Sequence, residues 1–121
     1  MLAEKGNLDY LVLECLAERT IALAQKRRLE DPTKGYDLLL ERRIDSLLPI
    51  LIKNKICLIT NMGAANPIEG AKKVIEIAQK MRLKVKVAAV YGDDIISEVE
   101  SLILEWTFNL METNISKTHI R

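Results

Sequence analysis

Three short apolar runs recur along the chain, and each ends in a loop of small or polar residues. The runs occupy residues 10–15, 56–60 and 85–91. Their nearly continuous apolar character is typical of strands that are covered on both faces. The pattern therefore predicts three buried β-strands.

Between and after these runs, apolar residues recur at the three- and four-residue steps of a helix. Good helix formers dominate residues 17–29 and predict the first helix. Residues 31–35 break the chain, because they contain a proline and a glycine, and a loop then extends to Asp37. A second helix, which Pro49 should kink or end, is predicted by the stripe of Leu40, Ile44, Leu47, Leu48 and Leu51.

A third helix should begin directly after the second strand. Asn66 is a preferred N-cap residue, Pro67 suits the first helical position, and Glu69 can reach back to the cap. The buried stripe of this helix should consist of Ala71, Val74, Ile75 and Ala78. A last amphipathic stretch over residues 95–106 predicts a final helix.

The order of strand, loop, helix and strand makes a βαβ unit, whose two strands are parallel. A chain of 121 residues is long enough for one such core. We therefore predict an α/β fold, a three-layer Rossmann-like domain with a short parallel β-sheet. It should occupy residues 1–113, and residues 114–121 should form a polar tail that frays.

Charge is balanced along the chain, with 18 basic and 17 acidic residues and a net charge of +1. Nucleic acids and anionic membranes select for basic surfaces, so we expect neither as a partner. No apolar run is long enough to span a membrane, and charges close to the N-terminus disfavour a signal peptide. We expect a cytoplasmic protein.

Polar residues follow each predicted strand and form the candidate site. Glu14 ends the first strand, Thr60 and Asn61 end the second, and Asp93 and Asp94 follow the third. Because the carboxyl ends of parallel strands lie at one edge of a sheet, these residues should converge on a small-molecule pocket. Glu14 is the strongest candidate, since a carboxylate at the end of a buried strand is costly unless it is paired.

The loop after the second strand could contact a carboxylate or phosphate through backbone N–H groups at a helix N-terminus. Gly63 would allow close approach of a ligand or a left-handed backbone, so valine at position 63 should disturb the loop more than serine at position 64. The glycine spacing matches neither a dinucleotide fingerprint nor a P-loop, and it identifies no cofactor. Helix capping competes with ligand contact as the role of Asn66, and turn formation competes at Asp93 and Asp94.

Two readings of Arg19 remain open, a salt bridge to Glu14 and a part in catalysis. Charge in the loop that contains Lys34 and Tyr36 is typical of plain solvation. The sequence assigns no catalytic residue.

Several kinds of chemistry are disfavoured. His119 lies in the polar tail, away from any triad within the domain. No Cys and His spacing indicates zinc, and adjacent side chains such as Asp93 and Asp94 diverge, so we predict no metal site. Cys15 and Cys57 lie in apolar runs, where free thiols behave as small buried hydrophobes.

Four separated segments resemble the acyclic terpene utilisation family. They are residues 8–20 (LDYLVLECLAERT), 31–37 (DPTKGYD), 60–67 (TNMGAANP) and 92–94 (GDD). The resemblance covers residues 1–113 and corresponds to the N-terminal domain of that family. Its members usually begin with a further strand and a glycine-rich loop, so the resemblance implies a member shortened at both ends or a fragment.

The family takes its name from growth on acyclic terpenes, in a pathway with acyl-CoA intermediates. The resemblance thus implies a metabolic setting and a small-molecule substrate, for which an acyl-CoA is one candidate. Two classes of function follow. One is an enzyme domain that acts on an acyl or carboxylate-bearing substrate, with Glu14 or Asp93 as acid or base. The other is a non-catalytic ligand-binding or assembly domain, or an incomplete fragment without activity of its own.

Apolar strands need cover on both faces, and edge strands leave backbone groups unpaired. We therefore expect the chain to form a homo-oligomer or to bind a partner chain.

Overall fold

The computed structural model describes residues 2–118, with side chains described through residue 111. Two compact units, Met1–Val90 and Tyr91–Arg121, are each described by themselves. Within the described residues the elements are α1 (Leu2–Lys5), β1 (Tyr10–Leu13), α2 (Glu18–Glu30), α3 (Leu40–Lys53), β2 (Cys57–Thr60), α4 (Pro67–Lys80) and α5 (Ile96–Thr118).

The two strands form a parallel pair, in which Tyr10 lies opposite Cys57 and Leu13 lies opposite Thr60. Parallel neighbours require a crossover connection. Here the crossover contains both α2 and α3. The predicted mixture of helices with a short parallel sheet is confirmed.

The predicted third strand over residues 85–91 is wrong, since these residues form no β-ladder in the described part of the chain. The side chains still alternate with the period of a strand. Leu83 and Val85 pack against the core, whereas Lys84 and Lys86 are exposed. The apolar pattern therefore predicted burial on one side correctly. A ladder also needs a neighbouring strand, and none pairs with these residues within residues 2–118.

Helix α3 supplies more of the buried core of the first unit than any other element. The five residues of its predicted stripe are all buried, which confirms that prediction. The helix continues through Pro49 to Lys53, so the proline does not end it. The two buried clusters consist of Tyr36, Leu40, Ile44, Leu48, Met62, Ile77 and Ala78, and of Ala3, Leu47, Leu51 and Ile56.

Helix α4 begins as predicted, with Asn66 at the N-cap position and Pro67 at the start of the helix. The side chain of Asn66 nevertheless makes no capping hydrogen bond. The predicted stripe is confirmed at Ala78, which is buried, and at Val74, which packs against the core, whereas Ile75 is exposed and Ile77 is buried instead. Ile75 and Ile77 are two residues apart and therefore lie about 200° apart around the helix.

The sheet is covered on one face only. Leu11, Leu13 and Leu58 pack against the two buried clusters beside α3. The opposite face is exposed, with Tyr10 64%, Val12 65% and Ile59 52% accessible. The prediction that both faces are covered is thus wrong for the described chain, and so is the prediction that Cys57 is buried.

The second unit contains Gly92 and helix α5. The predicted final helix is confirmed and extends to Thr118, so residues 114–118 of the predicted tail continue it. Residues 119–121, including His119, lie outside the described residues. No helix among residues 2–118 combines the length and the apolar character that crossing a bilayer requires.

The loop of residues 61–66 connects β2 with α4 and makes hydrogen bonds to the loop of residues 31–37. The Met62 carbonyl oxygen accepts a hydrogen bond from the Asp37 N–H, and the Ala65 N–H donates to the Gly35 carbonyl oxygen. The Asn66 amide nitrogen donates to the carbonyl oxygens of Pro32 and Lys34, each at 2.8 Å. Loop 61–66 and loop 31–37 are therefore held together by backbone and amide groups.

Gly63 is needed because of a close approach and not because of a left-handed backbone. A Cβ atom at Gly63 would lie 2.7 Å from Pro67 Cα and 2.8 Å from Pro67 Cβ. The left-handed residue of this loop is instead Ala64, with φ of 48°. The backbone at residue 63 therefore packs directly against the start of α4.

We predict that Gly63→Ala lowers the free energy of unfolding by about 1–3 kcal/mol, because the new methyl group overpacks against Pro67. Valine at the same position should cost more. The matched control, Ala64→Ser, keeps one Cβ atom on the left-handed residue and should change stability by less than about 0.5 kcal/mol. Urea denaturation followed by circular dichroism measures both, and equal effects of the two substitutions would contradict the steric explanation.

Candidate functional site

The side chain of Asn61 joins the carboxyl ends of the two strands. Its Oδ1 accepts a hydrogen bond from the Cys15 backbone N–H at 2.7 Å, and its Nδ2 donates to Glu14 Oε1 at 2.9 Å. Glu14 follows β1 and Asn61 follows β2, so the structure brings together the two residues that the sequence placed at this edge of the sheet. One amide thereby fixes both strand ends and orients a carboxylate.

The Glu14 carboxylate is stabilised in its ionised form. The hydrogen bond from Asn61 lowers its pKa most, and the hydrogen bond from the Leu16 backbone N–H, at 2.8 Å, lowers it further. Both hydrogen bonds end on Oε1, which leaves Oε2 without a partner among the described residues. An exposed, ionised carboxylate with a free oxygen can accept a hydrogen bond, whereas its lowered pKa makes it a poor general acid and a weak general base near neutral pH.

A second polar group lies around Cys15, the residue that follows Glu14 at the end of β1. Arg43 Nη1 donates to Cys15 Sγ at 2.9 Å and lies 3.9 Å from Asp37 Oδ2. Asp37 is itself held in place, because its Oδ1 accepts a hydrogen bond from the Leu39 N–H at the start of α3. Cys15 is half-buried, and both cysteines are free thiols.

Sequence patterns missed Arg43 and Asp37 as neighbours of the strand end. Arg43 lies on α3, outside every loop that follows a strand, so the rule that finds ligand residues at strand ends does not find it. Its one sequence signal is a charge that directly precedes Ile44 of the buried stripe.

The loop amides are mostly occupied within the protein. The N–H groups of Ala64, Ala65 and Asn66 donate to backbone carbonyl oxygens, and the Met62 N–H donates to Thr60 Oγ1. Over residues 62–66, Gly63 is the one residue whose backbone N–H makes no hydrogen bond to a described residue. The side chains therefore supply more of the contacts available to a ligand than the loop backbone does.

Asn66 and Thr60 have structural roles at this edge. The Asn66 side chain is buried, with its amide directed to Pro32 and Lys34 of the neighbouring loop. Thr60 pairs with Leu13 in the sheet and its hydroxyl oxygen orients the Met62 N–H. Tyr36, in loop 31–37, belongs to the buried core and not to the solvated surface that was predicted.

Arg19 does not pair with Glu14 among the described residues, and it is exposed on α2. The salt-bridge reading of this arginine is therefore wrong, because the amide of Asn61 satisfies the carboxylate instead. Asp93 and Asp94 belong to the second unit, so their convergence with Glu14 stays a prediction. Within residues 2–118, no three His, Cys, Asp or Glu side chains are grouped as a metal site would require.

A family model described as "Acyclic terpene utilisation family protein AtuA" matches residues 1–119 of the 121-residue chain. Comparison with curated proteins and with solved structures found no match. The matched region contains every residue of the candidate site, from Glu14 to Asp94.

We predict that Asn61→Ala raises the pKa of Glu14 towards its ordinary value of 4.5, because the variant removes the largest cause of the lowered pKa. A carboxyl group with a lowered pKa stabilises the fold above its unfolded pKa, and this contribution is lost as pH falls through the folded pKa. Stability should therefore depend less on pH in the acid range after the substitution.

Carbon-detected NMR titration of Glu14 measures this shift. The control is Thr33→Val, which removes a hydrogen bond that lowers the pKa of Asp31 and should leave Glu14 unchanged. A Glu14 pKa that is the same with and without Asn61 would show that the amide does not control the carboxylate.

Proposed function

We propose that this chain, which belongs to the acyclic terpene utilisation family, binds a small acyl or carboxylate-bearing substrate at the carboxyl ends of β1 and β2. Family membership suggests a role in acyclic terpene utilisation. The observation that carries the binding proposal is the Asn61 bridge, which places the Glu14 carboxylate at the end of the sheet. Ligands of parallel sheets bind beyond the carboxyl ends of the strands, where this carboxylate lies.

Two charged side chains have complementary roles in this proposal. Glu14 acts as a hydrogen-bond acceptor, because its ionised form is stabilised and its Oε2 is free among the described residues. Arg43 binds the anionic end of the substrate, since a guanidinium has five N–H donors and its contacts with Cys15 and Asp37 use only part of them. An acyl-CoA remains one candidate substrate.

The finer fold assignment is also a proposal. We propose a three-layer Rossmann-like domain built around the short parallel sheet. The parallel pairing of β1 and β2 through a helical crossover supports this assignment. A cytoplasmic setting agrees with the balanced charge of the chain.

Binding of short acids tests the proposal. We expect butyrate and butyryl-CoA to shift the amide NMR signals of Cys15 and Asn61, and Arg43→Gln to weaken butyrate binding about tenfold, the loss typical of one charged hydrogen bond. The control, Lys53→Gln, removes a positive charge from the exposed end of the same helix and should leave binding unchanged. Absence of any shift at Cys15 and Asn61 would refute a ligand site at this edge.

Assembly is the second candidate function, and a specific observation favours it. The exposed sheet face presents Tyr10, Val12 and Ile59, an apolar surface that monomers usually cover. We propose that the chain forms a homo-oligomer, or binds a partner chain, through this face. Burial of such a surface is a common driving force for symmetric dimers.

We expect sedimentation velocity to show a concentration-dependent increase in mass for the unmodified chain. Val12→Lys should shift the equilibrium towards monomer, because it places a charge in the apolar face. Leu29→Lys is the control, since Leu29 is an exposed apolar residue on α2. A monomer at every concentration would contradict self-association.

A further inference from the structure

A pocket of about 520 Å³ lies on the covered side of the sheet, between α1, β1 and α3. Its volume falls within the range of about 300–1,000 Å³ that is usual for small-molecule sites. The wall is almost entirely aliphatic, with Leu11 and Leu13 from the strand and Leu47 from the helix. Such a wall is complementary to a hydrocarbon chain and not to a polar metabolite.

Two arginines border this apolar pocket. Arg42 and Arg43 are successive residues of α3, and both line it. Arg42 is exposed and makes no ion pair with a described residue, so its guanidinium is available at the solvent side. No carboxylate lines the pocket among the described residues. Arg43 lies 3.9 Å from Asp37 Oδ2, so Arg42 supplies the positive charge at the border that is not paired with a described residue, and this charge favours an anion.

The pocket is connected with the end of β1 through one residue. Arg43 lines the pocket and also donates to Cys15 Sγ at 2.9 Å. A ligand whose chain lies against Leu11 and Leu13 would thus have its charged end within reach of the arginine beside the proposed substrate site. The pocket would thus contact the apolar part of the ligand, which the polar groups at the ends of β1 and β2 do not contact.

We propose that this pocket binds the hydrocarbon chain of an aliphatic carboxylate, with the carboxylate group paired to Arg42 and Arg43. This inference rests on the proposed function for the position of the charged end. It adds the class of the substrate, a medium-length aliphatic acid and not a short polar one. Ser46, which is exposed on α3 and lines the pocket, marks the position where a larger side chain would fill it.

The test is an NMR titration of the full chain with acetate, hexanoate, decanoate and decylamine. Burial of each added methylene should tighten binding about two- to fourfold, so decanoate should bind at least about a hundredfold more tightly than acetate. Decylamine, which has the same chain and the opposite charge, should bind at least about tenfold more weakly than decanoate.

Two variants locate the site. Ser46→Phe should weaken decanoate binding at least about tenfold and leave acetate shifts at Asn61 unchanged, because the ring occupies the pocket only. Arg42→Gln should reduce the preference for decanoate over decylamine, whereas Lys53→Gln should not. Circular dichroism checks that each variant is folded. Because Arg42 is exposed, Arg42→Gln tests the proposal independently of Ser46→Phe.

The outcomes separate the two proposals. If acetate shifts Asn61 but decanoate binds no more tightly, the pocket inference is overturned and the proposed function stands. If decanoate binds with chain-length dependence and no acid shifts Cys15 or Asn61, the pocket stands and the strand-end site fails. Equal binding of decylamine and decanoate, or an unaffected Ser46→Phe variant, also overturns the assignment of a carboxylate in this pocket.

Discussion

The hydrogen bonds of loop 61–66 are the constraint on which the rest of the first unit depends. At one end of the loop, Asn61 fixes the end of β1 to the end of β2. At the other end, Asn66 binds two carbonyl oxygens of loop 31–37 from a buried position. A buried side-chain amide is costly unless its hydrogen bonds are made, so Asn66 holds the two loops together, while Asn61 holds the two strand ends together.

Packing depends on the same loop. Met62 is fully buried between the ends of the loop and belongs to the cluster that includes Leu40 and Ile44 of α3. The backbone of Gly63 contacts Pro67 closely, which seats the start of α4 on the loop. A sheet of two four-residue strands contributes few hydrogen bonds of its own, and the helices must therefore be positioned by the loop and by α3.

The sequence predicted features that depend on local periodicity and turn chemistry. The α3 stripe, the break around Pro32 and the start of α4 at Pro67 were confirmed because each follows from residues close together in the chain. The third strand and the two-sided cover of the sheet were wrong because both depend on a partner that periodicity does not report. At the site, strand-end position identified Glu14 and Asn61, whereas Arg43 approaches from a helix and only tertiary packing brings it to Cys15.

The balance of charge around the end of β1 limits the chemistry open to this site. Glu14 has a lowered pKa, since Asn61 and the Leu16 amide both donate to it, and it is therefore ionised near neutral pH. Toward the proposed anionic substrate, Glu14 alone would be repulsive, and Arg43, which contacts the adjacent Cys15, would supply the attraction. In the proposed site, an anionic substrate held by Arg43 would leave Glu14 to accept a hydrogen bond from a neutral group of that molecule. The arrangement favours hydrogen bonding over general acid–base catalysis, because the contacts that stabilise the ionised form of Glu14 also weaken it as a base.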